Sequence, residues 1–366
     1  MVDYVRYEHD FKDDAIDFLA EYIPGVPRDE RRKLFEWVYE NNPFTDKPLN
    51  YLALEGERIV GFRGFIPQRF KVNGKTFIVI IPTNGTIHPD HRRKGVFTEL
   101  SNYSLQDISN IDEIKLILSL SPNKAAVGAL TKAGYIPLGI REKLYLFSTL
   151  KIMRNSPLKK METEGSFVTV NGPDLRTEFT REPRIKGISE LIASVSSGEK
   201  IENVRDTLFY EWRFVQSPHD TFFLYCMDGD ELVGYMALER HDITFRSIMD
   251  LHYYMILEYG YVQMKHLECM IDTIKNKLNL NGVMAFMFTR GNEERTTFIK
   301  HRFKEPDMMI LKFLSGAFDI SRILDVDLPG AMIKPVTEKD GDRGFVLYGK
   351  DTRKVENWSI FRSDVH

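Results

Sequence analysis

The chain has 366 residues, too many for one average domain and suited to two, with ordinary hydrophobic (43%) and charged (28%) content. Its formal net charge of −3 lacks the basic excess of a polyanion binder, so no nucleic-acid partner is expected. The longest apolar runs, such as Phe77 to Pro82, fall far short of the ~20 residues needed to span a bilayer. The first residues have neither a basic start nor an apolar core, and Cys226 and Cys269 sit in no metal-type spacing. These features set the expectation of a cytoplasmic, metal-free protein.

Taken in chain order, Leu34 to Pro43 is aromatic-rich, with Trp37 six residues before Pro43. Tyr51 to Phe62 reads as a hairpin, two apolar strands joined at Glu55-Gly56-Glu57. A third strand follows, in which Asn84-Gly85-Thr86 marks a bulge or a close backbone approach. It ends at Ile87-His88-Pro89. The chain then turns through Asp90-His91-Arg92-Arg93-Lys94-Gly95 and enters a helix near Val96-Phe97. Ile114 to Leu118 is strand-like, and Asn123-Lys124-Ala125-Ala126 opens another helix that closes at Gly134-Tyr135. Lys151 to Gly165 is basic and aperiodic, with a turn at Asn155-Ser156-Pro157, and reads as a linker between domains at 1–150 and 166–366.

The second half faintly repeats the first. Leu208 to Pro218 matches Leu34 to Pro43, with Trp212 again six residues before Pro218. Phe222 to Tyr235 is a second hairpin through Asp228-Gly229-Asp230, ending in Leu-Val-Gly-Tyr where the first ends in Ile-Val-Gly-Phe. Ile188 to Val195 has helical apolar spacing. Ile248 to Tyr254 is expected as a central strand, Val262 to Leu278 as a helix and Val283 to Phe288 as the next strand, with Asn292, Phe298 and Phe303 following. The loop expected after this central strand carries Glu258 and Tyr259 and no arginine, so a pyrophosphate would be repelled there. Short strands near Phe345 to Tyr348 and Trp358 to Phe361 close the chain.

The segment from 87 to 97 makes an anion site. Backbone N–H groups at a helix start lack intrahelical partners, and the helix dipole adds positive charge. Arg92, Arg93 and Lys94 add cations, and Gly95 admits close backbone approach. The nucleoside-triphosphate loop and the three-glycine dinucleotide fingerprint are both absent. What remains resembles the Arg-x-x-Gly-x-Gly/Ala loop of the GNAT acyltransferases, whose preceding strand carries a hydrophobic-x-Pro ending, matched by Ile87-His88-Pro89. Their Asn-x-x-Ala to Gly-Phe/Tyr motif is matched by Asn123 to Tyr135, with Asn123 28 residues after Gly95. Arg93 stands where glycine is common and Phe97 where a small residue is common, as in one branch of the superfamily. Leu130 occupies the place, seven residues after the asparagine, where many members carry an acid tyrosine.

The resemblance implies an α/β (α+β) chain of two GNAT-like domains, each a mixed, mostly antiparallel sheet flanked by helices, the second degenerate. It implies acetyl-CoA or coenzyme A as cofactor, held by Ile87, His88, Arg92, Arg93, Lys94, Gly95, Val96, Phe97 and Asn123. Backbone groups of Ile87 and the side chain of Asn123 would meet the pantetheine arm; Asn123 also suits a helix cap. Acyl transfer to a primary amine of a small molecule, such as an amino-sugar, is the expected reaction, and a homodimer is compatible with it. Transfer needs a base. No acidic residue or histidine lies between Lys71 and Ile87, and His88 reads as a loop residue. The chain also resembles tandem aminoglycoside acetyltransferases that use their C-terminal carboxylate, which brings Asp364 and His366 forward as catalytic candidates. Two alternatives are a tRNA-dependent aminoacyl transferase of the peptidoglycan-bridge type and a non-catalytic acyl-CoA sensor. Trp37, Tyr39, Phe44, Trp212 and Phe214 are expected to pack the fold rather than line an acceptor site.

Overall fold

Two mixed sheets carry the chain, and each arises from the same run of signals. The computed structural model describes residues 1–120, 122, 124–140, 142–147, 167–170, 175–245, 249–277, 282–287, 292–303, 329–336 and 344–361. The first half runs β1 (Asp3–Arg6), α1 (Lys12–Tyr22), α2 (Arg28–Phe35), a π-helical turn (Glu36–Glu40), β2 (Leu49–Glu55), β3 (Arg58–Val72) and β4 (Lys75–Ile87). It continues with α3 (Val96–Ile108), β5 (Ile114–Leu120), α4 (Lys124–Lys132), β6 (Ile136–Ile140) and β7 (Glu142–Phe147). The second half runs β8 (Phe167–Val170), β9 (Leu175–Thr180), α5 (Ile185–Val195), β10 (Ile201–Asn203), α6 (Thr207–Tyr210) and a second π-helical turn (Glu211–Val215). Then come β11 (Thr221–Asp228), β12 (Glu231–Phe245), β13 (Met249–Tyr261), α7 (Met264–Lys277), β14 (Gly282–Met287), α8 (Asn292–Lys300) and β15 (Pro329–Pro335). A hairpin of β16 (Val346–Leu347) and β17 (Lys350–Asp351) precedes β18 (Trp358–Ser359).

The repeat in sequence is a repeat in structure. The hairpin β2–β3 shifts register between Ala53 and Leu54, and β11–β12 shifts between Cys226 and Met227, each just before the glycine of the matching motif. In both halves the third strand pairs in parallel with a later one, β4 with β5 and β13 with β14. Helix α3 buries Val96, Leu100, Ser104 and Ile108, one side at four-residue spacing; α7 buries Leu267, Met270, Ile271 and Ile274. The sheet faces covered by α1, α2 and α5 share one core, in which Trp37 and Trp212 meet.

The strands do not divide by chain position. The first sheet has the order β1-β2-β3-β4-β5-β15-β6, with β10 beside β3 and β18 beside β10. The second has the order β7-β14-β13-β12-β11-β9-β8. Strand β7, placed by sequence in the first domain, therefore completes the second sheet, and β15, placed in the second domain, inserts between β5 and β6 of the first. Lys334 of β15 donates to the Ala133 carbonyl at the end of α4 (2.9 Å), a cation where the helix dipole is negative. The expected linker at 151–165 lies outside the described residues.

The central strand of the second half is longer than its sequence pattern indicates. Glu258 and Tyr259 are not in a loop but inside β13, which runs to Tyr261. Glu258 is fully buried and pairs with Arg205 (3.2 Å) while accepting from Tyr235 (2.6 Å). A buried carboxylate with a cation and a hydroxyl around it is tolerated inside a sheet, which hydropathy patterning does not show.

Candidate functional site

Strand β4 organises the site. Its parallel pairing with β5 covers Ile78, Val79 and Ile80 against Ile114, Leu116 and Ile117, then stops, although β4 continues to Ile87 and β5 to Leu120. The two strands part there and leave a cleft edged by unpaired backbone. On its other side β4 stays paired to β3, from Gly61↔Ile87 to Val72↔Lys75, with one irregularity: Arg63 stands opposite Asn84 and Gly85. This is the bulge that the Asn-Gly pair indicates. Asn84 has φ 50° and donates through Nδ2 to the buried hydroxyl of Tyr39 (2.9 Å). Tyr39 in turn fills the space over Gly64, where an added Cβ would lie 2.4 Å from its oxygen. Burial raises the pKa of that phenol, so it stays protonated.

Beyond Ile87 the strand ends in one short turn at Pro89–His91, and α3 starts at Val96. Gly95 takes the left-handed conformation (φ 83°) at the N-cap, and Arg93 does so at φ 62°. No side chain caps α3. The N–H groups of its first turn therefore face an open hollow of about 200 Å³ lined by Ile87, His91, Arg92, Arg93, Gly95, Val96, Phe97 and Thr98. Arg92, Arg93 and Lys94 are exposed around it. The Arg92 Nε donates to the Ile87 carbonyl (2.9 Å), which folds the side chain back along the strand end. That carbonyl is thus occupied, and the unpaired strand edge available to a ligand lies nearer the bulge.

His88 differs from its sequence reading. It is buried, not a surface loop residue: its Nδ1 accepts from the Asp90 amide (3.2 Å) and its Nε2 lies 2.9 Å from Arg58. Tyr22 packs edge-on against the ring. Both ring nitrogens are engaged, so it braces the loop to α1 and offers no free base. Leu130 packs into the core between α3 and the sheet, in the place of the missing tyrosine. Asn123 lies outside the described residues, one position before α4 begins. Asp364 and His366 lie outside them as well. The last described residue, Phe361, packs on Tyr259 (5.7 Å) and Arg205 (4.4 Å), on the second sheet.

Among the described residues the second half has no comparable loop after its central strand. Only Val262 and Gln263 separate β13 from α7, where eight residues, 88 to 95, separate β4 from α3. The sequence reading missed Arg63. It is buried on the α3 side of β3, over Phe65 and Phe97 (both 5.0 Å) and beside Tyr135. An arginine in an apolar run was its only signal.

Residues 3–135 match the acetyltransferase (GNAT) domain family. No curated protein matches the chain. Among solved structures, a GCN5-related N-acetyltransferase from Anabaena variabilis superposes with a TM-score of 0.58 at 13% identity, over 92% of this chain and 73% of that one. A probable N-acyltransferase from Enterococcus faecalis gives 0.57 at 12%, over 92% and 72%. The Saccharomyces cerevisiae N-myristoyltransferase with bound myristoyl-CoA gives 0.53 at 13%, over 84% and 80%. At these identities the likeness is one of fold, and it extends through both sheets.

Proposed function

We propose that this chain, in which residues 3–135 are a GNAT acetyltransferase domain, is an acyl-CoA-dependent N-acyltransferase acting on the primary amine of a small molecule. The observation that carries the reading is the conjunction of an uncapped helix start ringed by Arg92, Arg93 and Lys94 with a parted pair of strands directly below it. The first suits a pyrophosphate, and the second suits an extended amide-bearing arm that pairs with β4 as a strand would.

The reaction is direct transfer in a ternary complex. A neutral amine attacks the thioester carbonyl carbon, the C–N bond forms, and the C–S bond breaks. The thiolate of coenzyme A leaves and takes up a proton. In this reading backbone N–H groups of β4 beside the bulge stabilise the oxyanion, which needs no special side chain. Among the described residues β4 and β5 carry no carboxylate and no histidine, so the proton from the ammonium goes to water or to a group from elsewhere. Asp364, with His366 near it in sequence, is proposed for that role. In this reading the second half shapes the acceptor side and binds no cofactor. The decisive experiment is calorimetry with coenzyme A, followed by an amine panel with an acyl-CoA donor and detection of free thiol. Absence of coenzyme A binding by the full chain overturns the assignment.

A further inference from the structure

Arg63 is a buried cation with no carboxylate beside it among the described residues. It lies on β3 and Tyr135 lies just before β6, with β4, β5 and β15 between those strands in the sheet. The two side chains therefore meet over the face of β4 and β5, on the side covered by α3. Gly85, opposite Arg63 at the bulge, has no side chain there to block the crossing. Arg63 is 6% exposed and Tyr135 4% exposed. The Arg63 Nε and the Tyr135 hydroxyl both lack a well-formed hydrogen bond. Phe97, from the first turn of the phosphate-facing helix, stacks over the guanidinium and is itself 40% exposed.

Burying a guanidinium without a counter-ion is costly, and rings stacked on it offset only part of that cost. An anion arriving in the cleft would supply the rest. Position selects which one. The cation lies on the α3 face, below the loop assigned to the cofactor's pyrophosphate, and not on the face covered by α1 and α2. The ligand it faces is thus the donor and not the acceptor. A planar fork of N–H donors matches a carboxylate.

We propose that Arg63 is an anion-binding residue of the donor cleft, and that it receives the terminal carboxylate of a short dicarboxylic acyl chain. The donor class is then succinyl- or glutaryl-CoA rather than acetyl-CoA. This rests on the acyl-CoA reading above. Phe97 acts as the flap that covers the guanidinium from solvent.

The test is calorimetric titration of the full chain with coenzyme A, acetyl-CoA, succinyl-CoA and glutaryl-CoA, for wild type, Arg63→Met and Arg63→Lys. Wild type should bind one of the two dicarboxylic thioesters roughly 10- to 100-fold more tightly than acetyl-CoA, the size of one charge-assisted contact. Arg63→Met should abolish the preference, and Arg63→Lys should retain part of it. Wild type that binds coenzyme A but shows no preference overturns this inference and leaves the broader function standing. Arg63→Met that weakens all four ligands equally assigns the cation to the pyrophosphate instead, and overturns the acyl carboxylate. Wild type that binds none of the four removes both. Since the wild-type comparison needs no variant, misfolding of Arg63→Met cannot shelter the idea.

Discussion

The indole N–H of Trp37 donates to the backbone carbonyl of Trp212 (2.7 Å), and the indole N–H of Trp212 donates back to the carbonyl of Trp37 (3.0 Å). The rings stack at 5.3 Å with an interplanar angle of 29°. Each tryptophan sits in the π-helical turn of its half, so the repeated sequence becomes a reciprocal clasp at the centre of the shared core. The two halves are joined there and also by the exchange of β7 and β15.

Trp37→Phe should leave a buried carbonyl short of a donor and should cost about 1–3 kcal/mol of stability, with further loss from the smaller ring. Trp212→Phe should do the same. Because both remove parts of one clasp, the double variant should lose less than the sum of the singles. Urea unfolding measures all three. Additive losses would mean that the two bonds act independently and that the clasp is only geometric.

Arg92→Ala with Lys94→Ala should weaken coenzyme A binding tenfold or more, since charge-assisted contacts are worth roughly 1.5–3 kcal/mol each. Both side chains are exposed, so stability should change little. Calorimetric affinity equal to wild type would remove the loop from the cofactor site.

One coenzyme A should bind per chain. Above the second central strand the connection has only two residues, and β13 carries buried Glu258 where an anion would approach. A second equivalent site that survives Arg92→Ala would contradict this.

Sequence legibility followed the range of the interactions. The hairpins, the bulge at Asn84-Gly85, the helix start near Val96 and the repeated Trp-to-Pro and hairpin segments all depend on local backbone chemistry or spacing, and each stands where the residues place it. The exchange of β7 and β15 does not: Leu146 pairs with Val283, and Ile333 pairs with Leu118, contacts that no local pattern encodes. Glu258 was misleading for a related reason. A charged residue beside Tyr259-Gly260 reads as a turn until Arg205, 53 positions earlier, is seen to neutralise it inside the sheet. His88 looked exposed because its partners Arg58 and Tyr22 come from other elements.

Acid should weaken the second half through Glu239. This carboxylate is buried on β12, a condition that alone would raise its pKa. His241 (3.1 Å), His219 (3.6 Å) and Arg213 (4.0 Å) outweigh that and hold it at about 2, against 4.5 for the free side chain. The folded value is the lower one, so the contribution is fully present above pH 4.5 and is lost as pH falls through 2. Its size is roughly 3 kcal/mol by linkage. Urea unfolding between pH 6 and 2.5 should show this loss in wild type and a flatter profile in Glu239→Gln. Identical slopes would mean that other carboxylates carry the acid sensitivity.

The tail is the proposed source of a base. Residues 358–359 pair with β10 of the first sheet, and Phe361 is held by Arg205 and by Tyr259 of the second, so the last five residues start from a fixed point where the two sheets meet. Fully extended they reach about 17 Å from it. A carboxylate near its ordinary pKa is a weak base toward an ammonium, so the role demands partial desolvation or an intervening water. Deleting Ser363 to His366 should lower turnover by roughly 10²-fold, a typical size for an acid–base group, with coenzyme A affinity unchanged. Asp364→Asn then tests its side chain alone. Phe361→Ala, which releases the anchor, should lower turnover less than the deletion, because Asp364 remains but loses its fixed start. If the shortened chain turns over an identified amine as fast as the full one, proton transfer runs through water or through a group from elsewhere, and residues 363–366 take no part in it.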